Sequence, residues 1–197
     1  MADLIWWPQR GYGYLPPDVK FEYKNDYIDK YREYEEKAAT IKLNNIRREL
    51  VDTHIHNDLL IDFGCGAGTF LKGRPNTMGY DLVPEVVAWL KDKRLYNDPY
   101  LTVSRNVSFW DSFEHIVNPK GILNKISHYV FISTPIYENV EGVLKSKHYK
   151  PNEHLWYFTS EGLIKYLDDS EFECLFHDDL EYVIGREGIG SFVFKRK

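Results

Sequence analysis

A chain of 197 residues with 43% hydrophobic content is long enough to bury a full core as one domain with a modest extension. Its net charge of −5, with Lys and Arg scattered along the chain, disfavours a large nucleic-acid partner, which would leave a basic footprint. No apolar run could span a bilayer, and the start, MADLIWWPQRGYGYLPP, has no leader pattern. Cys65 and Cys174 lie far apart without metal-ligand spacing, so free thiols in a reducing, cytoplasmic setting are expected.

Residues 1–21 are aromatic, broken by Gly and Pro, and not expected to hold regular structure alone. Trp6, Trp7, Tyr12 and Tyr14 should pack onto the body of the domain; a lid or a subunit interface are the alternatives. Residues 24–51 read as a long helix capped by Asn25 or Asp26. Tyr27, Tyr31, Tyr34, Ala38 and Ile41 fall on one face of it. His54 and His56 read as turn residues before the first strand. The division expected is an extension over 1–51 and one domain over 52–197.

Residues 59–70, LLIDFGCGAGTF, organise the rest. An apolar run ending in an acid is a buried parallel strand. The glycines after it let the backbone pass close to a ligand, and residues 69–72 can open a helix. The third glycine comes one position too early for a dinucleotide fingerprint, and Thr69 stands in its place. A second apolar strand, TMGY, ends at Asp81. That acid comes 19 residues after Asp62, where a carboxylate can accept two ribose hydroxyls.

The pattern D-x-G-x-G-x-G, from Asp62 to Gly68, followed by that strand and acid, resembles the first motifs of class I S-adenosylmethionine (SAM)-dependent methyltransferases. The resemblance covers roughly residue 52 to the end of the chain. It implies a Rossmann-like α/β fold with a seven-stranded sheet, order 3-2-1-4-5-7-6, whose last strand is antiparallel, preceded by a helical extension. It implies SAM as cofactor and S-adenosylhomocysteine as product. Asp62, Gly64, Cys65, Gly66, Gly68, Asp81 and the adjoining Leu82 then form the cofactor site.

Pro84 can start a helix. Asn97-Asp98-Pro99-Tyr100 resembles the N/D-P-P-Y motif of amino-group DNA methyltransferases, but it lacks the first proline and follows a helix end; it reads as a turn. The third strand is expected near 100–103. Residues 107–110 read as a strand, followed by Asp111-x-x-Glu114-His115. This is similar to the E-x-x-E-H segment that holds magnesium in ubiquinone-biosynthesis O-methyltransferases. Asp111 and Glu114, at i and i+3, would share a helix face; a divalent cation is chemically possible there, yet no metal is the expectation. Trp110 and Asp111 join the candidate cofactor contacts.

Residues 122–126 read as helical and 128–134 as a strand ended by Pro135. Residues 137–157 form a long segment of the functional kind. The stretch EHLWYFTSEGL resembles one common in small-molecule methyltransferases, whose histidine faces the acceptor; here that is His154. A helix over 161–167, strands over 172–176 and 191–197, and a connecting loop over 185–190 complete the chain.

Loss of the acceptor's proton needs a base, for which His154 is the first candidate and His115 the second. Asp111 could orient the acceptor. The sequence thus points to methyl transfer onto a hydroxyl or amine of a small molecule, by a monomer or homodimer. A nucleic-acid or protein methyltransferase and a non-catalytic SAM-binding partner domain are the alternatives.

Overall fold

The computed structural model describes residues 3–16, 33, 35–151 and 153–197. The centre is a six-stranded sheet of order β4-β3-β5-β6-β9-β8. Its strands are β3 (Leu60–Phe63), β4 (Thr77–Tyr80), β5 (Ser104–Trp110), β6 (Ile126–Pro135), β8 (Phe172–Asp178) and β9 (Ile189–Arg196). β4, β3, β5 and β6 run parallel, and β9 lies antiparallel between β6 and β8. All four residues of β3 are buried, as a central parallel strand covered on both faces requires.

This is the expected order with the third strand missing. Residues 100–103 are not a strand, because Asp98 turns the chain there. Its carboxylate accepts from the Tyr100 N–H, and its carbonyl from the N–H groups of Leu101 and Thr102. Leu101 and Val103 consequently stand 79% and 76% exposed. The outer edge of β4 is closed by one bridge instead: Gly79 donates to the Leu95 carbonyl at 2.8 Å and accepts from the Asn97 N–H at 3.0 Å. An edge met by one residue needs no long strand to satisfy it.

α1 (Ala38–Ile55) precedes β3. The part of the predicted 24–51 helix before residue 33, with Tyr27 and Tyr31, and also Tyr34, lies outside the described residues. Where α1 is described it runs beyond residue 51, so His54 sits in its last turn and not in a loop. The His54 Nδ1 lies 2.8 Å from the Leu50 carbonyl, and His56 follows as the cap at φ 45°. The buried face is Asn44, Arg47, Leu50, Val51 and Ile55, while Ala38 and Ile41 are exposed. The apolar stripe read from the sequence is therefore rotated away from the core contact.

The sheet is flanked by α2 (Thr69–Lys72), α3 (Pro84–Asp92), α4 (Pro119–Leu123), α5 (Val140–Lys145) and α6 (Ser160–Asp168). Pro84 opens α3 as expected. The helix expected over 122–126 falls earlier, at α4, and Ile126 already begins β6. Thr159 caps α6, its Oγ1 accepting the Gly162 N–H at 2.9 Å.

The aromatic N-terminus does hold regular structure, because it borrows a partner. β1 (Ile5–Trp7) and β2 (Tyr12–Tyr14) form a hairpin, and β2 pairs antiparallel with β7 (Trp156–Phe158). Its turn docks on α6: a Cβ on Gly162 would lie 1.9 Å from the Gly11 carbonyl oxygen, so only glycine admits this approach. Tyr12 is 7% exposed and meets Tyr166 edge-on at 5.3 Å between ring centroids.

Candidate functional site

The cofactor-type cradle forms where β3 runs out. Gly64, Gly66 and Gly68 take φ values of 75°, 53° and 75°, a left-handed path that a Cβ would strain. Gly66 faces open space, for a Cβ there would meet nothing within 4 Å. Asp81 closes the loop from the end of β4, accepting the Gly66 N–H at 2.8 Å and the Val83 N–H at 2.9 Å. Each carboxylate oxygen keeps a lone pair for a further donor. Leu82, beside it, is 64% exposed and available as an apolar contact.

Asp62 lies beneath the loop. It accepts from the Ser108 hydroxyl at 2.9 Å, and burial pushes its carboxyl up to about 7 against that bond. The Cys65 thiol points into the packing, near Gly79, and burial raises it well above its ordinary value; a thiol so placed is inert. Trp110 sits on the α1 side of the sheet. It packs on Phe70 at 5.3 Å, and the Arg47 guanidinium lies 5.1 Å above its ring. Its indole N–H is buried with no hydrogen-bond partner among the described residues. An open backbone cradle and a two-oxygen acid at a strand end fit a nucleoside carrying two ribose hydroxyls.

Asp111 follows the end of β5 at φ 53°. It does not share a helix face with Glu114, because only a short 3-10 turn, Phe113–His115, follows. Both Asp111 oxygens are held by guanidinium groups. Arg186 bonds them at 2.7 and 3.0 Å, and Arg47 bonds one at 2.7 Å. Glu181, fully buried, completes the network with Arg47 at 2.7 Å and Arg186 at 2.6 Å. Burial alone would raise the Asp111 carboxyl, but the two arginines overcome it and hold it well below the ordinary range. A carboxylate so stabilised is a fixed charge and a poor proton acceptor. Sequence reasoning missed Arg47, Glu181 and Arg186. Arg47 lies 64 residues from Asp111 and 134 from Glu181, and Arg186 belongs to the loop read as a plain connection.

The two candidate bases do meet. His115 ends the 3-10 turn and His154 precedes β7, and their rings stand nearly perpendicular with centroids 4.7 Å apart. Glu114 joins them: one potential ligand atom from each of the three residues falls within 4.8 Å of the others. The Leu155 N–H bonds the Glu114 carbonyl at 2.8 Å and clamps the two segments together. Glu114 is 2% exposed and accepts from the Thr134 hydroxyl at 3.0 Å. Burial, reinforced by Asp111, pushes its carboxyl up to about 8. Burial, with His115 alongside, pushes the His154 ring down to about 3, and burial also lowers His115. Both imidazoles are therefore neutral at pH 7 and each offers a lone pair.

The family described as "methyltransferase domain" matches residues 31–176. A SAM-dependent methyltransferase from Clostridium acetobutylicum has a similar structure, at TM-score 0.61 and 16% identity over 87% of this chain and 99% of that one. The 1,6-didemethyltoxoflavin-N1-methyltransferase of Burkholderia thailandensis, solved with S-adenosylhomocysteine, follows at TM-score 0.57 and 14% identity, covering 94% and 96% of the two chains. The magnesium protoporphyrin IX methyltransferase of Synechocystis, also with S-adenosylhomocysteine bound, matches at TM-score 0.54 and 13% identity over 91% and 90%. No curated protein sequence matches the chain. These similarities agree with the glycine cradle and its acid: the chain belongs to the methyltransferase-domain family and is a class I SAM-dependent methyltransferase.

Proposed function

We propose that the chain methylates a hydroxyl or amine of a small-molecule acceptor held against Glu114, His115 and His154. The observation that carries this reading is the cluster itself: two neutral imidazoles and a buried carboxyl, gathered from segments that follow β5 and precede β7. Bound SAM supplies an electrophilic methyl group for in-line displacement. Gly66 and Asp81 place the nucleoside, and Asp62 supports the loop from below. The acceptor's proton must leave if an oxygen or amine is to attack, and His115 is the base of the cluster, because the His154 ring, held down to about 3, accepts a proton poorly. Asp111, fixed by Arg47 and Arg186, anchors the start of the segment that carries Glu114 and His115.

The cover over this side favours a small acceptor. The Leu15 N–H bonds the Leu155 carbonyl at 2.8 Å, and Leu15 packs with Tyr137, Val143 and Tyr157. The N-terminal hairpin thus closes down next to His154. Two structural relatives are named for small molecules, a porphyrin and a toxoflavin precursor. The extension and the catalytic part act, on this reading, as one unit in a reducing cytoplasm, consistent with two free cysteines.

The test is an acceptor screen that follows S-adenosylhomocysteine formation over phenolic, hydroxyl and amine metabolites. His154→Ala and His115→Ala should cut turnover of any acceptor found while leaving SAM binding intact. Methylation of RNA or peptide substrates alone would overturn the reading.

A further inference from the structure

We propose that Glu114, His115 and His154 bind one divalent ion of the late first row, such as cobalt, nickel or zinc. This deepens the reading of the cluster as the acceptor side, and its chemical use rests on that reading; the donor set stands independently of it. The expectation from the sequence is no metal, and the donor set proposed here also differs from the linear motif that begins at Asp111.

The donor chemistry selects the metal. Two imidazoles and one carboxylate suit zinc-like ions, whereas magnesium takes oxygen ligands in octahedral geometry. The three potential ligand atoms lie within 4.8 Å of one another. Bonds of about 2.0–2.2 Å bring tetrahedral ligand atoms to about 3.4 Å apart, so a modest side-chain rotation closes the set. Asp111 is excluded, since two guanidiniums occupy both its oxygens.

A second observation supports the site. The Nδ1 of His154, a residue 4% exposed, is buried with no hydrogen-bond partner among the described residues, and so is the Nε2 of His148 nearby. A buried polar atom left unpaired is costly and is rare unless something fills the place. Outer contacts of the kind that orient metal ligands are already in position. Thr134 donates to the Glu114 carboxylate at 3.0 Å, and the Glu153 backbone lies beside the His115 ring. Three protein ligands leave a fourth position open, which is the arrangement of catalytic sites. An acceptor hydroxyl bound there would lose its proton to solvent at a lower pH, the step that methyl transfer to oxygen requires.

The experiment uses the full chain stripped with chelator. Cobalt(II) is titrated while its visible absorption is recorded, and zinc binding is followed by calorimetry in parallel with SAM. One ion per chain is expected, since one set of three donors is offered. His154→Ala should abolish the cobalt spectrum. Glu114→Gln and His115→Asn should each weaken binding by more than the roughly 10–100-fold that outer contacts are worth. A His177→Ala control should bind as wild type. Absence of saturable binding, or binding untouched by all three ligand variants, overturns the proposal. SAM binding that persists in those samples confines the failure to the metal; its loss instead removes the reading of the site as a whole.

Discussion

Arg47 is the place where one substitution should cost most. Its guanidinium, with 8% of the side chain exposed, bridges Asp111 and the fully buried Glu181 at 2.7 Å each. It also lies over the Trp110 ring. Arg47→Met keeps the stem and removes the charge. Glu181 would then rely on Arg186 alone, and part of a buried negative charge would go uncompensated. Breaking a buried pair from one side costs about 3–5 kcal/mol. For a domain of this size that lowers the thermal midpoint by roughly 6–20 °C. Arg47→Lys should rescue little, since one ammonium cannot reproduce the planar fork that serves two carboxylates. Adding Glu181→Gln to Arg47→Met should recover part of the loss, because the stranded charge goes with it. Urea unfolding at pH 7 measures all four proteins. A loss below about 1 kcal/mol for Arg47→Met, the worth of an exposed pair, would refute the view that this network pins α1 to the sheet.

Other outcomes follow from the same geometry. Gly162→Ala places a methyl 1.9 Å from the Gly11 carbonyl, so the hairpin should lift; faster hydrogen exchange in β1 and β2 with unchanged exchange in β3 would report it, and unchanged β1 protection would contradict it. The His154 ring is held down at about 3 against an ordinary 6.5, so below pH 6.5 the unfolded chain takes a proton the native chain refuses. Stability from this group is lost as pH falls from 6.5 toward 3, and His154→Ala should flatten that slope in denaturant melts of chelator-treated protein. Glu114 acts in the opposite sense. The native chain keeps its proton up to about 8 while the unfolded chain releases it from 4.5, so stability is lost as pH rises between those values. Glu114→Gln should therefore gain on wild type across that window, and a parallel pair of curves would count against the buried, protonated carboxyl.

What the sequence revealed, it revealed through local pattern. Asp62 to Gly68 and Asp81 sit at their expected places because a strand, a turn and an acid are each encoded within a few adjacent residues. The cap of α6 is legible for the same reason, as either Thr159 or Ser160, and Thr159 takes it. The third strand failed at one residue: the turn chemistry of Asp98 outweighed the apolar Leu101 and Val103. The N-terminal hairpin could not be read because β2 is ordered by β7, Tyr12 facing Phe158 across the chain. Arg47, Glu181 and Arg186 carry no motif, and only the fold brings them to Asp111. His115 and His154 were singled out separately. That they meet, with Glu114 alongside, is a property of the tertiary structure.

The central claim is that the Gly66–Asp81 cradle holds SAM. Calorimetric titration of SAM and S-adenosylhomocysteine into the wild type and Asp81→Ala tests it most directly. The account predicts that both ligands bind the wild type. It predicts that Asp81→Ala, shown by circular dichroism to be folded, loses about 1–3 kcal/mol of binding free energy, because the ribose hydroxyls lose their acceptor. Absence of binding to the wild type, or equal affinity in the variant, would contradict it.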